Sequence, residues 1–152
     1  MGDLKKDRRL QVAWITFAVL GVVSMAYSVV IATTPLLGEE EFAGTSFAQL
    51  RATNPRLADV IWHDTVAFGI VAFGVSFLGF VLAWKGLSRG SRLAWYSLLI
   101  IAVTYLGALL LAHVPIGNTS PAHLGAAYVI FPTYLVALAI STKPVFSASR
   151  QA

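Results

Sequence analysis

The 152-residue sequence contains no cysteine, which excludes disulfide bonds, thiolate metal sites and cysteine nucleophiles. It also lacks a glycine-rich phosphate loop and a nucleophile elbow, the patterns that indicate phosphate binding and acyl transfer. We therefore name no catalytic residue and favour a protein without catalytic activity of its own.

Charged side chains are scarce as well. They make up 12% of the sequence, whereas soluble domains carry roughly 25%. Hydrophobic residues make up 57% and are concentrated in four runs, at about residues 10–32, 58–84, 93–114 and 121–142. Each run reaches the ~20 residues that a helix needs to cross the hydrocarbon layer. The sequence predicts an all-α membrane protein, with residues 1–152 as one domain of four transmembrane helices in an up-down-up-down bundle.

Basic residues are distributed unequally between the two predicted sides. Nine of the 11 Lys and Arg residues lie in the two tails and in the loop between spans two and three. Only Arg51 and Arg56 lie on the other side. The positive-inside rule therefore places both termini in the cytoplasm. Because the basic residues are divided among three short segments, the positive net charge does not indicate a nucleic-acid partner.

The loop between spans one and two, on the predicted outer side, has structure of its own. Glu39, Glu40 and Glu41 are predicted to form a solvated turn. The segment from Thr45 to Arg51 predicts a short helix in the membrane interface. Asn54-Pro55 predicts the start of the next helix, with the asparagine as its N-cap.

Small residues recur along span two at intervals of three and four, which places them on one face of a helix. Helices in lipid associate through such faces, because small side chains allow two backbones to approach closely. We therefore predict that span two is the central helix of the bundle, packed through Gly69, Ala72, Ser76 and Gly79.

The polar residues of the predicted outer face allow two interpretations. All three histidines lie there, and imidazoles together with a carboxylate suit a transition metal, while two facing histidines can ligate haem. The candidate metal ligands are His63, Asp64, His113 and His123, with the cofactor itself unknown.

The alternative is a structural cluster. Arg56, Asp59 and His63 are spaced by three and four residues, so they share a helix face and could form charge-assisted hydrogen bonds. A proton or substrate relay through the same outer residues is a third possibility.

Three tyrosines, Tyr105, Tyr128 and Tyr134, lie within the predicted spans. A tyrosine hydroxyl in an apolar environment needs a hydrogen-bond partner. These residues are therefore either core residues with protein partners or contacts of a bound lipid or quinone ring.

Three segments, Leu50–Pro55, His63 and Arg89–Trp95, together resemble small four-span prokaryotic membrane proteins of unassigned function. The resemblance implies a prokaryotic cell membrane and brings no activity with it.

Three functions remain open from the sequence. The leading hypothesis is a non-catalytic accessory or structural subunit of a larger membrane complex, with the lipid bilayer and other membrane subunits as partners. The first alternative is an outer-face redox module that binds a metal or haem. The second is a small transporter or channel, for which Asp64 is the only deep ionisable residue.

Overall fold

The computed structural model describes residues 7–36 and 40–147, and all regular elements in these ranges are helical. Four helices are long and apolar enough to cross a membrane, which confirms the four predicted spans. The elements are α1 (Arg8–Thr33), α2 (Glu40–Ala43), α3 (Phe47–Thr53), α4 (Pro55–Arg89), α5 (Arg92–His113) and α6 (Pro121–Ser147).

The outward faces of the long helices are apolar. Ile70, Leu111 and Val129 expose 65%, 71% and 66% of their surface, although all three lie within the spans. Soluble monomers rarely expose large contiguous apolar surfaces. Together with the length and hydropathy of the four helices, this exposure identifies a multi-pass membrane protein.

Side-chain caps fix where the long helices begin. The Asp7 carboxylate accepts hydrogen bonds from two backbone N–H groups of the first turn of α1, at 2.8 and 3.2 Å. Asn54 caps α4 in the same way with Pro55 in the first helical position, as the sequence predicted. At the start of α6, the backbone N–H of His123 donates to the Ser120 hydroxyl at 3.3 Å. Helices α1 and α4 begin at Arg8 and Pro55, two to three residues before the apolar runs predicted from the sequence. The difference arises because the first turn of each helix contains polar residues, which an apolar run does not include.

The loop between α1 and α4 contains the expected short helix. The capping box of α3 is reciprocal: Gln49 N–H donates to the Ser46 hydroxyl, and Ser46 N–H donates to the Gln49 side chain, both at 3.2 Å. Glu40 begins the short helix α2 and is therefore helical, whereas the sequence predicted a non-helical turn at this residue. Glu39 lies outside the described residues.

Two segments depart from α-helical hydrogen bonding. The end of α4 becomes a π-helix over Leu82–Gly86 and a 3₁₀ turn over Leu87–Arg89. In the middle of α5, residues Ala102–Gly107 form a second π-helix. A π turn contains an additional residue, and such turns occur frequently at functional sites.

Helices α1 and α4 make the most extensive interhelix contact of the structure. Helix α1 also packs against α6, and α4 also meets α5, mainly near Leu82–Gly86, so each of these two helices has two neighbours. The central position of span two stays a prediction. Its small face packs against α1: a Cβ on Gly69 would lie 2.5 Å from Ala32 Cβ. Similarly, a Cβ on Gly21 would lie 2.9 Å from Phe80 Cβ.

Packing is uneven along the bundle. The buried core is concentrated near Leu10, Leu87, Leu98 and Val145, which we call the packed end. It reaches as far as Phe17 and Tyr134 near the middle of the spans. The other end carries Asp64, His113 and His123 and is called the histidine end. The cavities described below extend from the middle of the bundle to the histidine end.

Candidate functional site

Two histidines meet at the histidine end. His113, the last residue of α5, and His123, in the first turn of α6, place their Nε2 atoms 2.9 Å apart. His113 Nδ1 lies 2.7 Å from the carbonyl oxygen of Leu109, and because a carbonyl only accepts, this nitrogen carries a proton. In the neutral pair, His123 Nε2–H therefore donates to His113 Nε2. The pair links α5 to α6.

The remaining polar residues of this end pair differently from the predicted cluster. Asp59 accepts a hydrogen bond from Arg51 of α3 at 3.1 Å, and His63 Nδ1 lies 3.2 Å from the carboxylate of its neighbour Asp64. Within the described residues, no hydrogen bond or ion pair joins Arg56, Asp59 and His63. The predicted structural cluster is therefore wrong, because α3 folds back along α4 and supplies Asp59 with another cation.

The four candidate metal ligands are divided into two pairs, His63 with Asp64 and His113 with His123. No group of three His, Asp or Glu side chains in the described ranges is placed to hold a metal ion. Two imidazoles alone leave a tetrahedral ion two ligands short. Two bonds of about 2.0–2.1 Å at the tetrahedral angle place the ligand nitrogens about 3.3 Å apart, whereas the two Nε2 atoms lie 2.9 Å apart, a hydrogen-bond length. The site with all four ligands is thus not assembled.

A cavity lies beside the histidine pair, and we call it the histidine cavity. It has an internal volume of about 400 Å³ and is partly open to the surroundings. Its lining includes Tyr27, Asp64, Phe68, His113 and His123. Asp64 and the histidine pair therefore line one cavity without forming one set of ligands.

A second cavity, the central cleft, lies between α1, α4, α5 and α6; it has an internal volume of about 100 Å³ and is partly open. The two cavities have six lining residues in common, which makes them neighbouring parts of one space: Tyr27, Ile31, Phe68, Leu109, Ala126 and Ala127. None of the described residues that line the central cleft is charged, and none is histidine.

The helices contribute side chains of different size to the cleft. The α4 contribution includes Ala72, Ser76 and Gly79, three of the four predicted packing residues. By contrast, α5 contributes Tyr105 from its π-helix, and α6 contributes Tyr134. Ser76 donates its hydroxyl proton to the carbonyl oxygen of Ala72 at 2.7 Å, so its own helix already satisfies this donor.

Tyr134 is a deeply buried residue of the cleft with a polar group at its tip. It is 7% exposed, and its hydroxyl has no hydrogen-bond partner among the described residues. Its ring lies edge-on to Phe17 with 4.4 Å between centroids. A Cβ on Gly79 would lie 3.7 Å from the Tyr134 hydroxyl. By contrast, Tyr128 lies outside the cleft and donates to the carbonyl oxygen of Thr119 at 2.9 Å.

Two further tyrosines line the cleft nearer the histidine end. The rings of Tyr105 and Phe68 stack with centroids 6.4 Å apart and bridge α5 and α4. Within the described residues, neither the Tyr105 nor the Tyr27 hydroxyl has a hydrogen-bond partner. The cleft therefore presents three phenol groups from three helices.

No protein family, curated protein or solved structure matches the chain significantly. The resemblance to small four-span prokaryotic proteins accordingly stays a prediction. Function has to be argued from the geometry of the cleft.

Sequence reasoning identified Tyr105 and Tyr134 as residues in need of partners but missed Tyr27. One signal was available: Tyr27 adjoins Ser28 and follows Gly21 and Ser24 along the side of α1 that carries its small residues. A large polar side chain beside a small-residue face can border a space that the small residues leave open.

Proposed function

We propose that this protein is a membrane-embedded binding protein that holds an uncharged lipophilic molecule in the central cleft and has no catalytic activity of its own. The observation that carries the proposal is an apolar cleft, lined by all four spans, that contains the buried and unpartnered Tyr134 hydroxyl. We further propose the up-down-up-down arrangement with cytoplasmic termini in a prokaryotic cell membrane, so that the histidine end faces outward.

The size of the cleft supports a ligand rather than a packing defect. Protein interiors are close-packed, with few voids larger than a water molecule. The cleft has an internal volume of about 100 Å³, below the roughly 300–1,000 Å³ of drug-sized sites but of the same order as the roughly 150 Å³ apolar cavity that holds a benzene ring. A void of this size can hold a small ring, and the surrounding bilayer supplies lipophilic molecules.

The lack of charge in the cleft supports a neutral ligand over an ion. Ionisable residues inside a membrane usually mark ion or proton pathways. Asp64 lines the histidine cavity, whereas the described lining of the central cleft contains no ionisable carboxylate, cation or imidazole. The transporter or channel hypothesis therefore has less support than binding.

The predicted role as an accessory subunit is compatible with this proposal. A small protein that holds a lipophilic molecule for a larger membrane complex needs a cleft and an apolar outer surface, but no catalytic residue. The role in a complex stays a prediction, and the same purification tests both.

The experiment is purification in mild detergent from the native host, followed by mass spectrometry of the intact protein and of its solvent extract. We expect a bound lipophilic molecule in the wild type. Gly79→Leu should lose it, because the new side chain points at the Tyr134 hydroxyl and fills the cleft. Gly79→Ala should retain it, because a methyl group there makes only an ordinary van der Waals contact.

Gly74→Leu is the matched control on the same helix, since a Cβ at Gly74 meets nothing within 4 Å. It should retain the molecule. A wild-type protein without any bound molecule, or equal occupancy in Gly79→Leu and Gly74→Leu, would contradict the proposal. Proteins that co-purify with the wild type would identify the complex.

A further inference from the structure

We infer that the occupant of the central cleft is an uncharged carbonyl compound whose oxygen accepts a hydrogen bond from the Tyr134 hydroxyl. This inference rests on the proposed binding function and adds the chemistry of the ligand. Two sources share that chemistry, a quinone-type ring and an acyl ester, and the observations below favour the ring.

The buried hydroxyl of Tyr134 indicates that an acceptor is needed in the cleft. Buried polar side-chain atoms in proteins nearly always have a hydrogen-bond partner, because leaving one unpaired costs its full desolvation penalty. Tyr134 exposes only 7% of its surface, and its hydroxyl has no hydrogen-bond partner among the described residues. A missing acceptor at this position therefore indicates a molecule that the cleft normally contains.

Water is a poor candidate for that acceptor. A buried water molecule typically needs two to four polar partners. Phe17 packs edge-on against the Tyr134 ring, and Gly79 lies beside the hydroxyl; neither has a polar side chain. The hydroxyls of Ser28 and Ser76 already donate to carbonyl oxygens of their own helices. The acceptor is better supplied by an oxygen atom that is part of an otherwise apolar molecule.

A carbonyl oxygen satisfies the site more completely than a hydroxyl would. Tyr27, Tyr105 and Tyr134 all offer a phenol proton to the cleft. A ligand hydroxyl would bring another donor that needs its own acceptor, whereas a carbonyl only accepts. No charged side chain of the described lining could neutralise a carboxylate or an ammonium group, so the carbonyl belongs to an uncharged molecule.

Aromatic side chains favour a flat ring. Five aromatic residues line the cleft, and stacked or edge-on contacts with a planar ligand are favourable for such residues. Helix α4 also contributes the small residues Ala72, Ser76 and Gly79, which leave room for a flat molecule beside the rings. The aromatic residues are Phe17, Tyr27, Phe68, Tyr105 and Tyr134.

The test uses purified full-length protein in lipid nanodiscs with three probes. These are 2-methyl-1,4-naphthoquinone, 2-methylnaphthalene, which has the same skeleton without the carbonyls, and the acyl ester monoolein. Affinity is measured by equilibrium dialysis, and hydrogen bonding by the infrared carbonyl band of ¹³C-labelled probe. We expect the naphthoquinone to bind with its carbonyl band shifted to lower frequency.

Tyr134→Phe should abolish that shift and weaken naphthoquinone binding about fivefold, the usual effect of one hydrogen bond. It should leave 2-methylnaphthalene binding unchanged. Tyr128→Phe is the matched control in the same helix, because its hydroxyl lies outside the cleft and bonds to Thr119, and it should change neither probe. Ligand-free Tyr134→Phe should unfold no earlier than the wild type, which verifies that the variant is folded.

The outcomes separate this inference from the proposed function. If the probes bind equally to the wild type and Tyr134→Phe, without a shifted carbonyl band, the carbonyl inference is overturned and the binding function stands. If monoolein alone binds with a Tyr134-dependent shift, the carbonyl inference is supported and the preference for a ring is overturned. If no probe binds, the carbonyl inference is overturned, and the proposed function is overturned with it only when the wild type also purifies without a bound molecule.

Discussion

At the scale of single residues, the two pairs at the histidine end differ in what they contribute. His113 and His123 are partly buried and joined by a 2.9 Å hydrogen bond between two helices. His63 and Asp64 are neighbours on one helix and are 80% and 73% exposed. Exposed ion pairs contribute little to stability, whereas a partly buried hydrogen bond that also joins two elements contributes more.

This difference predicts the result of two double-mutant cycles. For His113→Leu and His123→Leu we expect a coupling free energy of about 1 kcal/mol, because each single substitution leaves the other imidazole without this partner. For His63→Leu and Asp64→Leu we expect a coupling near zero. The measurement is unfolding in mild detergent with an increasing fraction of SDS. Equal coupling in both cycles would mean that the histidine pair does not link α5 and α6.

The sequence identified the polar residues of the histidine end more reliably than their hydrogen-bond partners. The connection between α5 and α6 is short, which brings His113 and His123 together at this end. The spacing of Arg56, Asp59 and His63 placed them on one helix face, but spacing cannot show that Arg51 of α3 reaches Asp59 at 3.1 Å. Partner choice depends on tertiary structure, which the helical period does not encode.

At the scale of elements, hydropathy and caps were sufficient to predict the helices. Runs of about 20 apolar residues have few alternatives in a bilayer, because every backbone group must be satisfied internally. The π-helix at Ala102–Gly107 was not predictable, since its residues are ordinary for a transmembrane span. The close contact of α1 with α4 involves small residues on both helices, Gly21 on α1 and Gly69 on α4.

The contact between α1 and α4 gives a prediction at this scale. Gly69→Ala should destabilise the bundle by about 1–3 kcal/mol, because the added Cβ would lie 2.5 Å from Ala32 Cβ and the helices would have to separate. Gly74→Ala, one turn further along α4, should be neutral or stabilising by up to about 1 kcal/mol, since nothing lies within 4 Å and alanine favours the helix.

Both variants can be compared by their unfolding midpoints in the same detergent titration. Equal midpoints for Gly69→Ala and Gly74→Ala would show that α1 and α4 do not approach closely in the membrane. In that case the small residues of α4 would face lipid or another subunit instead.

At the scale of the whole molecule, the uneven packing separates two tasks. The packed end holds the helices together through Leu10, Leu87 and Leu98, all of them almost completely buried. The histidine end leaves space between the helices and contains the polar residues. The core and the cleft meet at Phe17 and Tyr134, which belong to both. Tyr134→Phe removes the hydroxyl and keeps the ring, so we expect it to leave the packing of the core intact.

Orientation determines which side of the membrane this open end faces, and it gives the last prediction. Nine of the 11 basic residues lie on the side of the packed end or in the tails beyond it, which predicts cytoplasmic termini. The chain has no cysteine, so single cysteines can be introduced without background. On intact cells, a membrane-impermeant thiol reagent should label Thr45→Cys, whereas Ser147→Cys should react only after the cells are opened. The reverse pattern would place the histidine end in the cytoplasm, and a ligand would then reach the cleft from the inner leaflet instead of the outer one.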